Sequence, residues 1–164
     1  MKTLLKLIVI LFAAGNLSFA QTAKPAIRTT KMAENLYELF IHIDNSTSVN
    51  LYALIGSTGI LLIDSGYSST TDLVTEELKK ITDKPVEYLI NTHSNGDHTG
   101  GNAQIGANAR IIAHLETRRQ LVKESQLPLE GLPEITFRDS LTIWFNNEEE
   151  LKAASICWRR TLRF

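Results

Sequence analysis

Three short runs of aromatic and branched apolar residues follow one another closely in the first half of the chain. They are LYELFIHI (Leu36 to Ile43), VNLYALIG (Val49 to Gly56) and ILLID (Ile60 to Asp64). The polar breaks between them, DNSTS and Ser57 to Gly59, have turn composition, so the spacing predicts an antiparallel meander of strands. GILLIDSG is apolar almost without interruption up to Asp64, which predicts an interior strand whose end meets a functional edge. Beyond it the period changes. In SSTTDLVTEELKKIT, Leu73, Leu78 and Ile81 fall near one helical face, and Ser68, Ser69 or Thr70 can cap the start. Asp72 lies in the early turns, with Lys79 and Lys80 near the end where the helix dipole favours cations. Pro85 breaks the helix, VEYLIN reads as a strand, and a short helix is predicted near Gly101. ARIIAH is strand-like, LETRRQLVKES helix-like, and ITFRDSLTIWF holds one or two more strands, Thr142 to Phe145 being the clearer. This alternation predicts an α/β fold.

The two ends of the chain depart from that pattern. MKTLLKLIVILFAAGNLSFA has Lys2 and Lys6, an apolar stretch from Leu7 to Ala14, and Ser18-Phe19-Ala20 before Gln21. That layout predicts an export signal over residues 1–20, removed after export to the periplasm or exterior. Its apolar run is too short to span a bilayer, so no stable membrane span is expected after cleavage. Residues 21–32 read as a polar linker, 33–146 as the folded domain, and 147–164 as a tail of a different character. In that tail the acidic NNEEE is followed by LKAASICWRRTLRF, with four basic residues and no acidic one.

A formal net charge of −1 gives no basic field to attract nucleic acid, which leaves a small molecule as the expected partner. The single cysteine, Cys157, excludes an internal disulfide. The chemistry concentrates instead in LINTHSNGDHTGGN, Leu89 to Asn102, straight after an apolar strand. His93, Asp97 and His98 are nitrogen and oxygen donors suited to a borderline cation such as zinc. Gly96 is expected to turn the backbone sharply so that Asp97 and His98 face one space, and Gly100 and Gly101 to permit close approach of the next helix. His42, within a strand, reads as a packed or surface histidine, and Trp144 and Trp158 as packing residues.

THSNGDHTGGN closely resembles the signature of the metallo-β-lactamase superfamily, His-x-His-x-Asp-His followed by Thr-Gly-Gly-Asn. LLIDSG resembles that family's strand ending in Asp-(Thr/Ser)-Gly, and the order of elements from Ala33 to Phe145 matches its N-terminal half. The resemblance implies an αβ/βα sandwich, here only its N-terminal half, with one or two zinc ions at the edge of the sheets. It also implies metal-bound hydroxide attacking a carbonyl, a β-lactam amide first, an ester or thioester as the alternative. Carried over by position, His93 is a ligand of one metal site and Asp97 and His98 are ligands of the other. Asp97 also orients the attacking water, and Asp64 is the supporting carboxylate beneath the loop.

Two departures qualify these expectations. Asn95 stands where the motif has its second histidine, and its neutral carbonyl oxygen is a weak or lost zinc ligand. The family also draws a histidine, an aspartate or cysteine, and a last histidine from its C-terminal half. After His98 this chain has only His114, at a strand-to-helix step, and Cys157 in the tail. The expectation is therefore a truncated or frame-shifted chain that leaves the family pattern near Glu148, with a non-catalytic remnant as a further alternative to the hydrolase.

Overall fold

The computed structural model describes residues 24–124 and 127–145, together with the backbone of Glu149–Ala154. One sheet runs in chain order: β1 (Ala26–Lys31), β2 (Leu36–His42), β3 (Ser48–Ile55), β4 (Ile60–Ile63), β5 (Val86–Asn91), β6 (Arg110–His114) and β7 (Ile135–Phe137). The first four pair antiparallel, the predicted meander, because short turns join them. Asp44 ties the β2–β3 turn, its Oδ1 accepting from the Ser46 and Thr47 amides at 2.8 Å each. From β4 to β7 the pairing is parallel, since each connection there carries helix. These are α1 (Thr71–Ile81), then α2 (Gly96–Thr99) with α3 (Asn102–Ile105), then α4 (Leu115–Glu124). β4, predicted to be interior, lies at the middle of the strand order.

Period-2 alternation sorts the side chains between two faces. Leu39, Ile41, Leu51, Ala53, Ile60, Leu62, Leu89 and Ile111 meet Val74 and Leu78 of α1 in one buried cluster. Leu61, Tyr88 and Ile112 alternate to the other face. There the hairpin of β8 (Ser140–Phe145) and β9 (Glu149–Ala154) sets Phe145 edge-on to Tyr88, ring centroids 6.1 Å apart. Phe40, Tyr52, Leu54, Ile63 and Ile90 of this second face are half-buried.

Several expectations need correction. Ala26–Lys31, within the expected linker, forms β1: Ile27 packs against the core cluster, and Thr29 Oγ1 donates to Glu77 Oε1 at 2.7 Å. Only Ile27 and Thr29 of that strand are even half-buried, so it carries almost no alternation to read. No side chain caps α1. Ser68–Thr70 forms a 3-10 turn, and the Thr70 and Thr71 hydroxyls donate back to the Tyr67 and Ser68 carbonyls at 2.9 Å. Trp144 is 66% exposed, because Ile143 and Phe145 on either side of it take the inward positions. Residues 1–20, Cys157 and Trp158 lie outside the described residues. Among the described residues, no helix is long and apolar enough to cross a membrane.

Candidate metal centre

β4 and β5 are parallel neighbours with Ile63 beside Ile90, so whatever follows their carboxyl ends emerges side by side. In open α/β sheets that edge is where ligands bind. Asp64 follows β4, and Thr92 and His93 follow β5. The chain then makes one helical turn, α2, with the His98 and Thr99 amides donating to the Asn95 carbonyl at 3.0 Å each. Gly96 is therefore not the sharp turn expected of it: its backbone is helical, and an added Cβ would meet nothing within 4 Å. Gly100 and Gly101 do permit the close approach. A Cβ would lie 2.6 Å from Ser68 N at the first and 2.5 Å from Ser65 O at the second.

This turn brings His93, Asp97 and His98 together, each presenting a ligand atom within 4.8 Å of the others. The two imidazole centroids are 4.0 Å apart. His98 Nε2 lies 3.1 Å from Asp97 Oδ2, and its Nδ1 lies 2.8 Å from Asp64 Oδ2. Two ligand atoms about 2.1 Å from one tetrahedral ion sit about 3.4 Å apart, so a divalent cation fits the donor set with small adjustments. The electrostatics agree. The ring's hydrogen bond to Asp64 raises the His98 pKa above its usual 6.5; burial opposes this, and the Asp64 and Asp97 charges add to it. In the metal-free chain this stabilisation is fully present below about pH 6.5 and fades as pH rises through the raised value. A cation held by Nε2 would displace that proton.

Asp64 is 3% exposed and adopts the left-handed conformation, φ 62°. For a residue with a Cβ this costs on the order of 1–3 kcal/mol. Its hydrogen bonds offset that cost. Oδ1 accepts from the Thr92 amide at 2.8 Å, and Oδ2 accepts from Thr92 Oγ1 at 2.6 Å and His98 Nδ1 at 2.8 Å. Asp64 thus lies behind the loop, touching one of the three donors directly.

A buried polar network fixes the backbone of His98. Its carbonyl accepts from Ser65 N at 2.8 Å and from Asn91 Nδ2 at 3.4 Å. Asn102, fully buried, donates from Nδ2 to Asn91 Oδ1 at 2.8 Å and to Gly131 O at 2.9 Å. Its Oδ1 accepts from Ser65 Oγ at 2.8 Å and Asn91 Nδ2 at 3.0 Å. Among the described residues no buried side-chain polar atom lacks a partner. Sequence reasoning missed Ser65, Asn91 and Thr92. The available signal was a polar residue, Asn91, at the buried end of an apolar strand.

Asn95 is exposed and serves α2 through its backbone carbonyl. It lines a groove of about 710 Å³ together with Ser94, Gly100, Gln104, Gln120 and Leu127. His93, Asp97 and His98 are not among the groove's lining residues. His42 is exposed, edge-on to Phe40 at 4.5 Å. His114 Nε2 lies 2.7 Å from the Arg138 carbonyl; neither histidine joins the cluster.

The model of the metallo-β-lactamase superfamily matches residues 45–146 of this chain. The chain belongs to that superfamily. A Methanocaldococcus jannaschii protein described as a probable metallo-hydrolase is 44% identical over 52 residues, 32% of this chain and 25% of that protein. The DIM-1 metallo-β-lactamase structure superposes with a TM-score of 0.59 at 18% identity, over 71% of this chain and 54% of that one. A metallo-β-lactamase from Pontibacter korlensis gives 0.59 at 21%, over 72% and 55%. A flavo di-iron protein from Thermotoga maritima gives 0.61 at 21%, over 75% and 35%. At these identities the structural likeness is one of fold, and it bears out the expected class. The chain spans about half the length of the two lactamases and a quarter of the metallo-hydrolase.

Proposed function

We propose that this chain carries the metal-binding edge of an exported, zinc-dependent hydrolase that opens a carbonyl compound, a β-lactam amide first among them. The observation that carries this reading is the convergence of His93, Asp97 and His98 within 4.8 Å, at the carboxyl edge of the parallel strands. Two imidazoles and a carboxylate suit zinc better than magnesium or calcium, which favour all-oxygen sites. When bound, such an ion brings the pKa of a coordinated water toward neutrality and polarises the carbonyl under attack.

The side chains divide the remaining work. His93 and His98 hold the ion through ring nitrogens. Asp97 is half-exposed, so one carboxylate oxygen can ligate while the other accepts a hydrogen bond from the attacking water and orients it. Asp64 fixes the His98 ring and takes no part in the bond changes. Asn95 offers only a neutral oxygen where the family motif has a histidine, which favours one ion over two. The export-signal layout of residues 1–20 supports a lactam substrate, because cell-wall antibiotics act outside the inner membrane. An ester or thioester is the second substrate class, since each presents a carbonyl open to the same attack.

The test is hydrolysis of nitrocefin and of a model thioester by zinc-dialysed protein, with and without chelator. Nitrocefin turnover abolished by chelator is the expected outcome, and thioester turnover alone would reassign the substrate. Zinc bound without turnover of either would make the chain a binding remnant, and the hydrolase reading would fail.

A further inference from the structure

Between Asp64 and His93 stands a single hydroxyl. Thr92 Oγ1 lies 2.6 Å from Asp64 Oδ2 and 2.9 Å from His93 Nδ1. A threonine hydroxyl has one hydrogen to give, and an ionised carboxylate can only accept. The Thr92 hydrogen therefore points at Asp64, and what His93 Nδ1 meets is a lone pair. That 2.9 Å contact is a hydrogen bond only when Nδ1 carries the proton. His98 has a carboxylate oxygen at each ring nitrogen, Asp64 Oδ2 2.8 Å from Nδ1 and Asp97 Oδ2 3.1 Å from Nε2, and the shorter contact to the buried Asp64 takes the single proton of the neutral ring.

We propose that Thr92 is a positioning residue which, with Asp64, braces both imidazoles as Nδ1–H tautomers and so turns both Nε2 lone pairs toward the shared centre. One buried carboxylate sets two rings, His98 by direct contact and His93 through the Thr92 hydroxyl. The purpose of the brace rests on the metal-binding reading above, because fixing the distal nitrogen's proton is how proteins prepare a histidine to ligate. Its geometry does not depend on that reading. The Thr92 amide also donates to Asp64 Oδ1, at 2.8 Å, so the backbone stays anchored when the hydroxyl is removed. Thr92→Val thus deletes the hydroxyl with little change of shape, and Thr92→Ser keeps it.

Ring-nitrogen NMR of the ¹⁵N-labelled, metal-free chain, with both rings neutral, reads the tautomers directly. The wild type should show Nδ1–H at both His93 and His98. Thr92→Val should move His93 toward Nε2–H while His98 keeps Nδ1–H, and Thr92→Ser should restore the wild-type pattern. Cobalt(II) affinity, followed by its visible absorption, should fall about 10–100-fold in Thr92→Val and recover in Thr92→Ser. A proton on His93 Nε2 in the wild type overturns the proposal, and that measurement needs no variant. An unchanged His93 in a folded Thr92→Val overturns it equally. Protein that binds no cobalt yet shows both Nδ1–H tautomers upholds the brace while ending the metal reading.

Discussion

Asp64 is the residue on which most of the site converges, since its two oxygens meet the Thr92 amide, the Thr92 hydroxyl and His98 Nδ1. Asp64→Asn replaces one acceptor oxygen with an amide donor, which either opposes the Thr92 amide donor to donor or forces the Thr92 hydroxyl and the His98 ring to exchange their donor roles. Metal affinity should fall about 10–100-fold, as measured by competition with a chromophoric chelator. The glycines give a contrast that isolates packing. Gly101→Ala places a methyl 2.5 Å from the Ser65 carbonyl and should cost about 1–3 kcal/mol in urea unfolding. Gly96→Ala enters open space in a helical turn and should be neutral, or stabilising by up to about 1 kcal/mol. His93, Asp97 and His98 were legible because all three lie in one short stretch with metal-ligand chemistry. Asp64 was legible as the polar end of an apolar strand, and its supporting role only through the resemblance of LLIDSG to a family strand. Its left-handed backbone was not, and neither was the role of Thr92. Those features arise where β4 and β5 lie side by side, and hydrogen bonds between strands leave no period in the sequence.

At the scale of elements, strands with a buried face announced themselves. Leu39 and Ile41 in β2, or Val49, Leu51 and Ala53 in β3, alternate with less buried neighbours, and the meander follows. β1 escaped notice because one aliphatic side chain and one threonine are all it turns inward. α2 escaped because a single turn is shorter than the helical period needs to show itself. β1 is instead secured by Glu77 of α1. Hydrogen bonds from Lys80 Nζ first, then from Thr29 Oγ1, hold its carboxyl below the usual carboxylate range. The folded pKa is depressed, so this contribution is present above about pH 4.5 and lost as pH falls through the lowered value. Amide protection in β1, taken relative to the intrinsic exchange rate at each pH, should therefore fall across that acid window, ahead of β4. In Glu77→Gln the window should vanish, leaving β1 less protected at neutral pH.

At the largest scale, and among the described residues, helices cover one face of a seven-stranded sheet, a hairpin lies on the other, and the candidate metal centre sits at the edge where antiparallel pairing gives way to parallel. The strand order from β2 to β7 was readable from the order of strand and helix signals, and the family from two motifs that the fold places next to each other. Binding an ion to the folded chain alone should stabilise it by about 2.7 kcal/mol at a hundredfold excess over Kd. Added zinc should therefore raise the melting temperature and a chelator should reverse the rise. The most direct test is the metal content of the purified chain after dialysis against zinc and then metal-free buffer, alongside His93→Ala and His98→Ala. One equivalent of zinc retained by the wild type and lost from both variants is the predicted result. No zinc in the wild type, or equal zinc in all three proteins, would contradict a metal held between these side chains.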